Sequence, residues 1–317
     1  MLLVVLTFCG LVACGGSKYA HGSEKIVLKL GDHKVSEEVY RYFLLNTMDE
    51  MANGDNNYFQ GADREEKLSQ LEKTVLGHLK QFYSVLDLAD ECDIEMSEKE
   101  LEAIDETMEA LRADFESPEK YQEELQAAYL SEYMAYSLIY NESLQTALYN
   151  TMSQTGKYFS VDGNDILAYA KENFLFCRQF VVKTDDPATD EEAMEKAQTI
   201  HDRLSQGEDP ADVLKEYESD DTVIGAYYCF AETEDFAGLN EEAVQELKEG
   251  EISDIRMDGY GFHIIIRMKP DTEYLEDNLS DGVFESYCMH QMNLRLEKIQ
   301  KEYTVTYKNK QEPEAYR

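Results

Sequence analysis

The residue best suited to chemistry is a histidine in an apolar segment, His263 in the run Tyr260–Met268, which reads YGFHIIIRM. The three isoleucines that follow it give the segment the composition of a buried strand. An imidazole can donate and accept hydrogen bonds near neutral pH, so it could serve a catalytic site. It could equally be a core residue whose ring nitrogens are satisfied by hydrogen bonds. The segment itself leaves both interpretations open.

Cysteines are the second set of reactive side chains, and their spacing does not indicate a metal site. Beyond residue 14 the chain has Cys92, Cys177, Cys229 and Cys288, without a CxxC motif and without a histidine nearby in a zinc-ligand pattern. We therefore expect no metal and no other cofactor. The four thiols could form two disulfides in an oxidising compartment, or they could be four small buried side chains.

Composition favours a folded, strongly acidic protein. The 317 residues include 29 Lys and Arg against 66 Asp and Glu, for a net charge of −37, and 43% are hydrophobic. Such a surface repels nucleic acid and anionic lipid headgroups, so no nucleic-acid partner is expected. The length is enough for one large or two moderate domains with buried cores.

The N-terminus carries the clearest address signal. Residues 2–13 are uncharged and largely apolar, too few for a membrane span of ~20 residues but suited to a secretory signal. The run Leu11-Val12-Ala13-Cys14 resembles the lipobox of bacterial lipoproteins, which implies lipidation at Cys14. No Lys or Arg follows Met1, which departs from the usual pattern. An ordinary signal peptide or a buried apolar segment is the alternative.

The chain after the signal begins as a strand and continues as helices. Alternation in Lys25–Leu30 predicts a strand, and Ser36 followed by two glutamates predicts a capped helix. Further helices are predicted over 65–91, 97–115, 118–152 and 165–173. Tyrosines at helical spacing, Tyr129 to Tyr140, are typical of core packing, although an apolar groove for unfolded chains is a second interpretation.

From Phe174 the pattern changes to a mixed unit. We predict a strand over 176–183, helices over 190–206, 210–217 and 239–248, and strands over 251–257 and 262–268. A long helix over Tyr274–Tyr303 follows, and then alternating apolar residues to Tyr307. That last segment could pair with Lys25–Leu30, which would join both ends of the chain in one domain with the mixed unit inserted.

The mixed unit resembles a parvulin-type peptidyl-prolyl isomerase domain. The resemblance rests on segments that occur in the family's order: Phe176–Val182, Gly207–Asp220, Gly225–Phe230, Leu247–Ser253 and Gly261–Ile265. With the flanking strand, helices and lipobox, the layout is similar to extracytoplasmic foldases and chaperones of the PrsA and SurA group.

This resemblance implies an α+β fold. A mainly helical chaperone domain would be built from N- and C-terminal segments, with an inserted parvulin-like domain of antiparallel sheet flanked by helices. The expected parts are a signal peptide 1–13, a lipidated tether 14–23, a helical chaperone domain 24–173, a parvulin-like domain 174–270, a C-terminal helix and strand 271–308 completing the chaperone domain, and a polar tail 309–317.

The resemblance also implies site residues. Parvulins hold the prolyl peptide in an apolar pocket beside two hydrogen-bonded histidines and an acid or thiol. Here the second histidine is His263, the first falls at Gln179, and the acid or thiol falls at Ala226, in what the resemblance makes a glycine-rich turn. An amide at 179 can still bond to His263, whereas Ala226 cannot. The implied substrate-binding candidates are Phe230, Phe236, Phe262, and a residue at Leu239 or Asn240, of which we take Leu239.

Three functions compete on these grounds. The first is a foldase, lipid-anchored to the outer face of the cell membrane of a Gram-positive-type bacterium, that isomerises X-Pro bonds in newly exported or unfolded polypeptides. The second is a non-catalytic holdase chaperone with a degenerate parvulin domain, favoured by Ala226 and Gln179. The third, a solute-binding lipoprotein, would need alternating strand and helix units, and the long helical stretches argue against it. A homodimer is left open.

Overall fold

A computed structural model describes residues 25–186, 190–230, 246–270, 272–273, 282–310 and 312–313. The chain forms two compact units, one of residues 1–159 and 289–317, the other of residues 160–288. Both ends of the chain therefore belong to the first unit. The predicted fold class, a helical domain built from both chain ends with an inserted antiparallel α+β domain, is confirmed.

Strands in the first unit come from both ends of the chain. Strands β1 (Ile26–Leu30) and β2 (His33–Ser36) form a hairpin, and β7 (Val305–Tyr307) adds to the other edge of β1. The register places Leu28 opposite Tyr307 and Leu30 opposite Val305. The predicted pairing of the terminal strand with Lys25–Leu30 is thus confirmed.

Five helices follow β2 in the first unit. They are α1 (Glu37–Ala52), α2 (Arg64–Glu91), α3 (Glu98–Ala113), α4 (Pro118–Ala127) and α5 (Glu132–Thr155). Ser36 caps α1, and Ser97 with Glu100 forms a capping box on α3, because their side chains satisfy backbone N–H groups that the first turn leaves unpaired. Apolar residues of α1, α2 and α5 pack with those of the sheet in one core.

The predicted single helix over 118–152 is wrong, since it is two helices. The chain leaves helical geometry after α4, and Tyr129 takes a left-handed conformation with φ of 58°. Ser131 then caps α5 by accepting from the N–H of Met134 at 3.1 Å. A serine followed by Glu132 is a helix-start signal, so the second helix begins there.

The second unit contains an antiparallel sheet in the order β4-β3-β6-β5. Its elements are α6 (Gly163–Asn173), β3 (Leu175–Lys183), α7 (Glu191–Ser205), α8 (Pro210–Glu216), β4 (Val223–Phe230), β5 (Arg256–Asp258) and β6 (Gly261–Met268). Helix α9 (Val283–Glu302) begins in this unit and continues into the first. Most of the predicted helix 239–248, and residues 274–281 of the predicted last helix, lie outside the described residues.

One face of this sheet is packed against helices. Alternate residues of β3 and β6 form a core with residues of α7 and α8, namely Phe180, Val182, Phe262, Ile264 and Ile266. The intervening residues of the same strands face the other way. None of the helices within the described ranges has both the length and the apolar character that a membrane span requires.

Candidate functional site

His263 and Gln179 lie on the face of the sheet opposite the helices. His263 pairs across β3 with Val181, and Gln179 pairs with Ile265, so all four side chains share this face. Both polar residues are buried, with 7% and 4% of their surfaces exposed. A buried imidazole and a buried amide need hydrogen-bond partners, and each is placed to serve the other.

The two side chains are joined by a short hydrogen bond. Nε2 of Gln179 lies 2.5 Å from Nδ1 of His263. Because the amide nitrogen can only donate, Nδ1 is the acceptor, and the proton of the neutral ring is then on Nε2. The sequence predicted this pairing from the amide at position 179, and the structure brings the two residues together.

The residue that sequence reasoning missed is Asp258. Its Oδ1 lies 2.9 Å from Nε2 of His263. This distance is within the range of an ion pair. The two atoms are not aligned for a hydrogen bond, and His263 Nε2 has no hydrogen-bond partner among the described residues. A carboxylate therefore faces the second ring nitrogen, although the family position for an acid or thiol falls at Ala226.

Asp258 is fixed by the turn that joins β5 to β6. Its Oδ1 also accepts from the N–H of Tyr260 at 2.7 Å and from the N–H of Gly261 at 3.2 Å. Burial raises the pKa of Asp258, but these two N–H groups and His263 outweigh it and hold the pKa below its ordinary value. An Asp-Gly pair between two strands is a hairpin signal, and it could have placed this carboxylate beside His263.

A buried serine, Ser253, is hydrogen-bonded to strand β6 two residues after His263. The Ser253 side chain accepts from the N–H of Ile265 at 3.0 Å, and the Ser253 N–H donates to the Ile265 carbonyl at 2.8 Å. The predicted strand over 251–257 is shorter than expected: β5 starts at Arg256, and Ile252 makes only an isolated bridge to Ile266.

The predicted glycine-rich turn over 225–230 is wrong, because this segment lies in strand β4. Its glycine is needed for packing, since a Cβ at Gly225 would lie 2.6 Å from Cδ1 of Leu214 on α8. Ala226 is directly opposite Gln179 in the register. The position at which the resemblance implies an acid or thiol is therefore next to Gln179, and alanine occupies it.

The other candidate site residues have different outcomes. Phe262 is 4% exposed and belongs to the core between sheet and helices, so its side chain lies on the opposite face of the sheet from His263. Phe230 is the last residue of β4, opposite Leu175, and its side chain is not described. Phe236, Leu239 and Cys14 lie outside the described residues.

The described residues contain buried thiols but no cluster of metal ligands. Cys92 and Cys288 are free and buried, Cys177 is buried, and the side chain of Cys229 is not described. Within the described residues, no group of three or more His, Cys, Asp and Glu side chains is arranged to hold a metal ion. The polar groups described at His263 are the hydrogen-bonded amide of Gln179 and the carboxylate of Asp258.

Two protein-family models match the chain in separate regions. A SurA-like N-terminal domain matches residues 1–158, and a PPIC-type peptidyl-prolyl isomerase domain matches residues 179–269. The second match begins at Gln179 and contains Asp258 and His263. No curated protein matches the chain.

Solved structures similar to the chain include PrsA from Bacillus subtilis, 18% identical over 89% of this chain and 93% of that one, with a TM-score of 0.27. The foldase protein PrsA from Streptococcus pneumoniae is 13% identical over 80% of this chain and 85% of that one, with a TM-score of 0.31.

Proposed function

The chain belongs to the group of parvulin-type peptidyl-prolyl isomerases and foldases, with a SurA-like N-terminal domain and a PPIC-type domain, and from this we propose that it assists the folding of exported proteins outside the cytoplasm. It binds unfolded or newly exported polypeptides and isomerises their X-Pro bonds. The observation that carries the proposal is the contact of buried Gln179 and His263 with each other and with the partly exposed Asp258, all within the PPIC-type domain.

The chemistry of isomerisation suits such an array. Rotation about a peptide bond faces a barrier of about 18–20 kcal/mol that comes from amide resonance. Catalysis needs no nucleophile and no metal ion; it needs a site that favours the twisted amide over the planar one. In our proposal Gln179 and Asp258 hold His263 in one tautomer and orientation, and His263 presents a fixed polar edge to the twisted prolyl peptide.

A second function has support from a specific position. Alanine at 226, directly opposite Gln179, removes the acid or thiol that the family places there. This favours a holdase that binds unfolded chains without isomerising them. Asp258 weakens that argument, because it supplies an acid to His263 from β5 instead of β4.

We further propose that the protein is secreted and anchored through lipid at Cys14. The support is the sequence Leu11-Val12-Ala13-Cys14 after an apolar, uncharged segment. Two or more acyl chains anchor a protein stably, because each buried CH₂ contributes ~0.8 kcal/mol. Cells expressing the full chain should incorporate labelled palmitate, and Cys14→Ser should abolish the label while Cys9→Ser retains it. Label that persists in Cys14→Ser would refute the anchor.

The two functions are separated by one pair of assays. Isomerisation is measured by protease-coupled cleavage of a proline peptide, and holdase activity by light scattering of a denatured client protein. We expect His263→Ala to lower the isomerisation rate and to leave client protection unchanged, with His290→Ala as a histidine control outside the sheet. A wild-type rate equal to that of buffer would dispose of the isomerase. Loss of both activities in His263→Ala would show that His263 is structural.

A further inference from the structure

Arg267 is a charged residue on the same face of the sheet as His263, four residues further along β6. It pairs across β3 with Cys177, which is fully buried. Nε and Nη1 of the guanidinium are buried, and neither has a hydrogen-bond partner in the described part of the chain. The residue as a whole remains partly exposed.

Glu251, whose backbone is hydrogen-bonded to that of Arg267, does not neutralise the guanidinium. The backbone N–H of Arg267 donates to the carbonyl of Glu251 at 2.9 Å, and its carbonyl accepts from Gly250 at 2.8 Å. The carboxylate of Glu251, however, accepts from the N–H of Lys248 at 2.9 Å and lies 3.7 Å from its Nζ. Within the described residues, the backbone of Arg267 is satisfied and its side chain has no counter-ion.

A guanidinium with buried, unpartnered nitrogens lowers the stability of the fold unless an anion binds to it. A guanidinium cannot lose its charge at any ordinary pH, and burying an uncompensated charge costs several kcal/mol. Buried donors in native proteins nearly always have partners, and an exception calls for an explanation. A guanidinium donates strong, charge-assisted hydrogen bonds to a carboxylate, which makes a carboxylate the best-fitting ligand.

We propose that Arg267 binds the side-chain carboxylate of an aspartate or glutamate in the client polypeptide, a preference that rests on the proposed prolyl-peptide site at His263. Four residues of strand separate His263 from Arg267 by about 13 Å, so an extended peptide on this face reaches Arg267 about four residues from its proline. The net charge of −37 repels acidic peptides at long range. The preference must therefore come from direct contact.

The test uses fluorescein-labelled alanine-based peptides with one central proline, blocked at both ends so that a single glutamate is the only carboxylate in the peptide chain. Glutamate or glutamine stands four residues before or four residues after the proline. By fluorescence anisotropy, we expect the wild-type protein to bind the glutamate peptide about tenfold more tightly than its glutamine match in one of the two placements, or ~1.4 kcal/mol. Arg267→Met should remove this ratio. Lys269→Met removes the same charge at an exposed position nearby and should retain it.

Stability supplies an independent readout. Replacing an unpaired buried charge by an apolar side chain of similar length should raise the melting temperature of Arg267→Met relative to Lys269→Met. Equal binding of glutamate and glutamine peptides by the wild-type protein overturns the proposal, as does absence of binding to every peptide. A melting temperature lower than that of Lys269→Met also overturns it, because Arg267 would then have an internal partner. Isomerisation of the same peptides is measured separately, so peptides that bind with the glutamate preference but are not isomerised refute the catalytic function and leave the preference standing.

Discussion

Asp258 and His263 meet diagonally across the β5–β6 hairpin: Oδ1 of Asp258 lies 2.9 Å from Nε2 of His263, while the register pairs Asp258 with Gly261 and His263 with Arg256. Gln179 contacts the other ring nitrogen from β3, on the opposite side of β6. The imidazole is therefore held from both neighbouring strands. Its orientation depends on three strands keeping their register, which ties the candidate site to the stability of the sheet.

Removing the amide of Gln179 should cost stability as well as activity. Gln179→Leu keeps the approximate volume but leaves Nδ1 of His263 without a partner in a buried position. We expect a loss of ~1–3 kcal/mol in the free energy of unfolding, measured by denaturant titration. Gln206→Leu, an exposed position at the end of α7, is the matched control and should change little. A Gln179→Leu variant as stable as that control would mean that the hydrogen bond contributes nothing.

Asp258 should give the protein a pH-dependent share of its stability. A carboxyl whose pKa is lower in the folded than in the unfolded state stabilises the fold above its ordinary pKa, here 3.8, and that contribution disappears as the pH falls through the lowered value. Asp258→Asn should therefore be less stable than wild type at neutral pH, and the difference should shrink as the pH falls below about 4.

Urea unfolding between pH 7 and pH 3 measures this difference. Asp254→Asn provides the control, because Asp254 is an exposed acid close in sequence to Asp258. A difference between wild type and Asp258→Asn that stays constant over this range would show that the pKa of Asp258 is not lowered by folding.

The elements that could be predicted from sequence were those with strong local signals. The helix capped at Ser36 follows from its cap, and the strand containing His263 follows from its run of apolar residues; both are observed. The break at Tyr129 was missed because the flanking segments both have helical periodicity, and only the Ser131 cap marks the second start. The resemblance implies a turn at Gly225 where the structure has a strand, because a glycine required by the neighbouring Leu214 looks the same in sequence as a glycine required by a turn.

The sequence predicts the contact between Gln179 and His263 but not the positions of Asp258 and Arg267. Gln179 and His263 are brought together by the pairing of β3 with β6, and a family resemblance carried that information. Asp258 and Arg267 stand at positions for which the resemblance supplied no role. Their contacts, or lack of contacts, depend on which face of the sheet each side chain occupies, and that is decided by the register of the hairpin.

The glycine at the start of β6 should be irreplaceable. Gly261 has a φ of 148°, and a Cβ there would collide with the carbonyl oxygen of Val182 and lie 3.0 Å from Cα of Lys183. Gly261→Ala should destabilise the protein by at least ~2 kcal/mol through backbone strain and displacement of β3. Gly259→Ala, in the same turn but with no atom within 4 Å of its Cβ, is the control. Equal thermal stability of the two variants would contradict the observed turn geometry.

Buried thiols should resist modification in the native protein. Cys92 and Cys288 are free and buried, and burial raises the pKa of both thiols, that of Cys288 to about 11. Because the thiolate is the reactive form, both should be protected from iodoacetamide at pH 8 and become alkylated in denaturant without a reducing agent. Peptide mapping by mass spectrometry reports each site. A requirement for reductant at either cysteine would reveal a disulfide.

Restoring the family's polar groups should increase isomerisation, because Ala226 lies directly opposite Gln179 in the β3–β4 register. In Gln179→His with Ala226→Asp, an acid and a second imidazole would stand beside His263, as the family resemblance implies for active parvulins. We expect the double variant to raise kcat/KM in the protease-coupled assay about tenfold, equivalent to ~1.4 kcal/mol of barrier. Ala226→Asp alone introduces the charge without the histidine and controls for a nonspecific electrostatic effect. If the double variant folds and its rate equals that of wild type, the Gln179–Ala226 position does not limit catalysis, and the holdase alternative loses the observation that favours it.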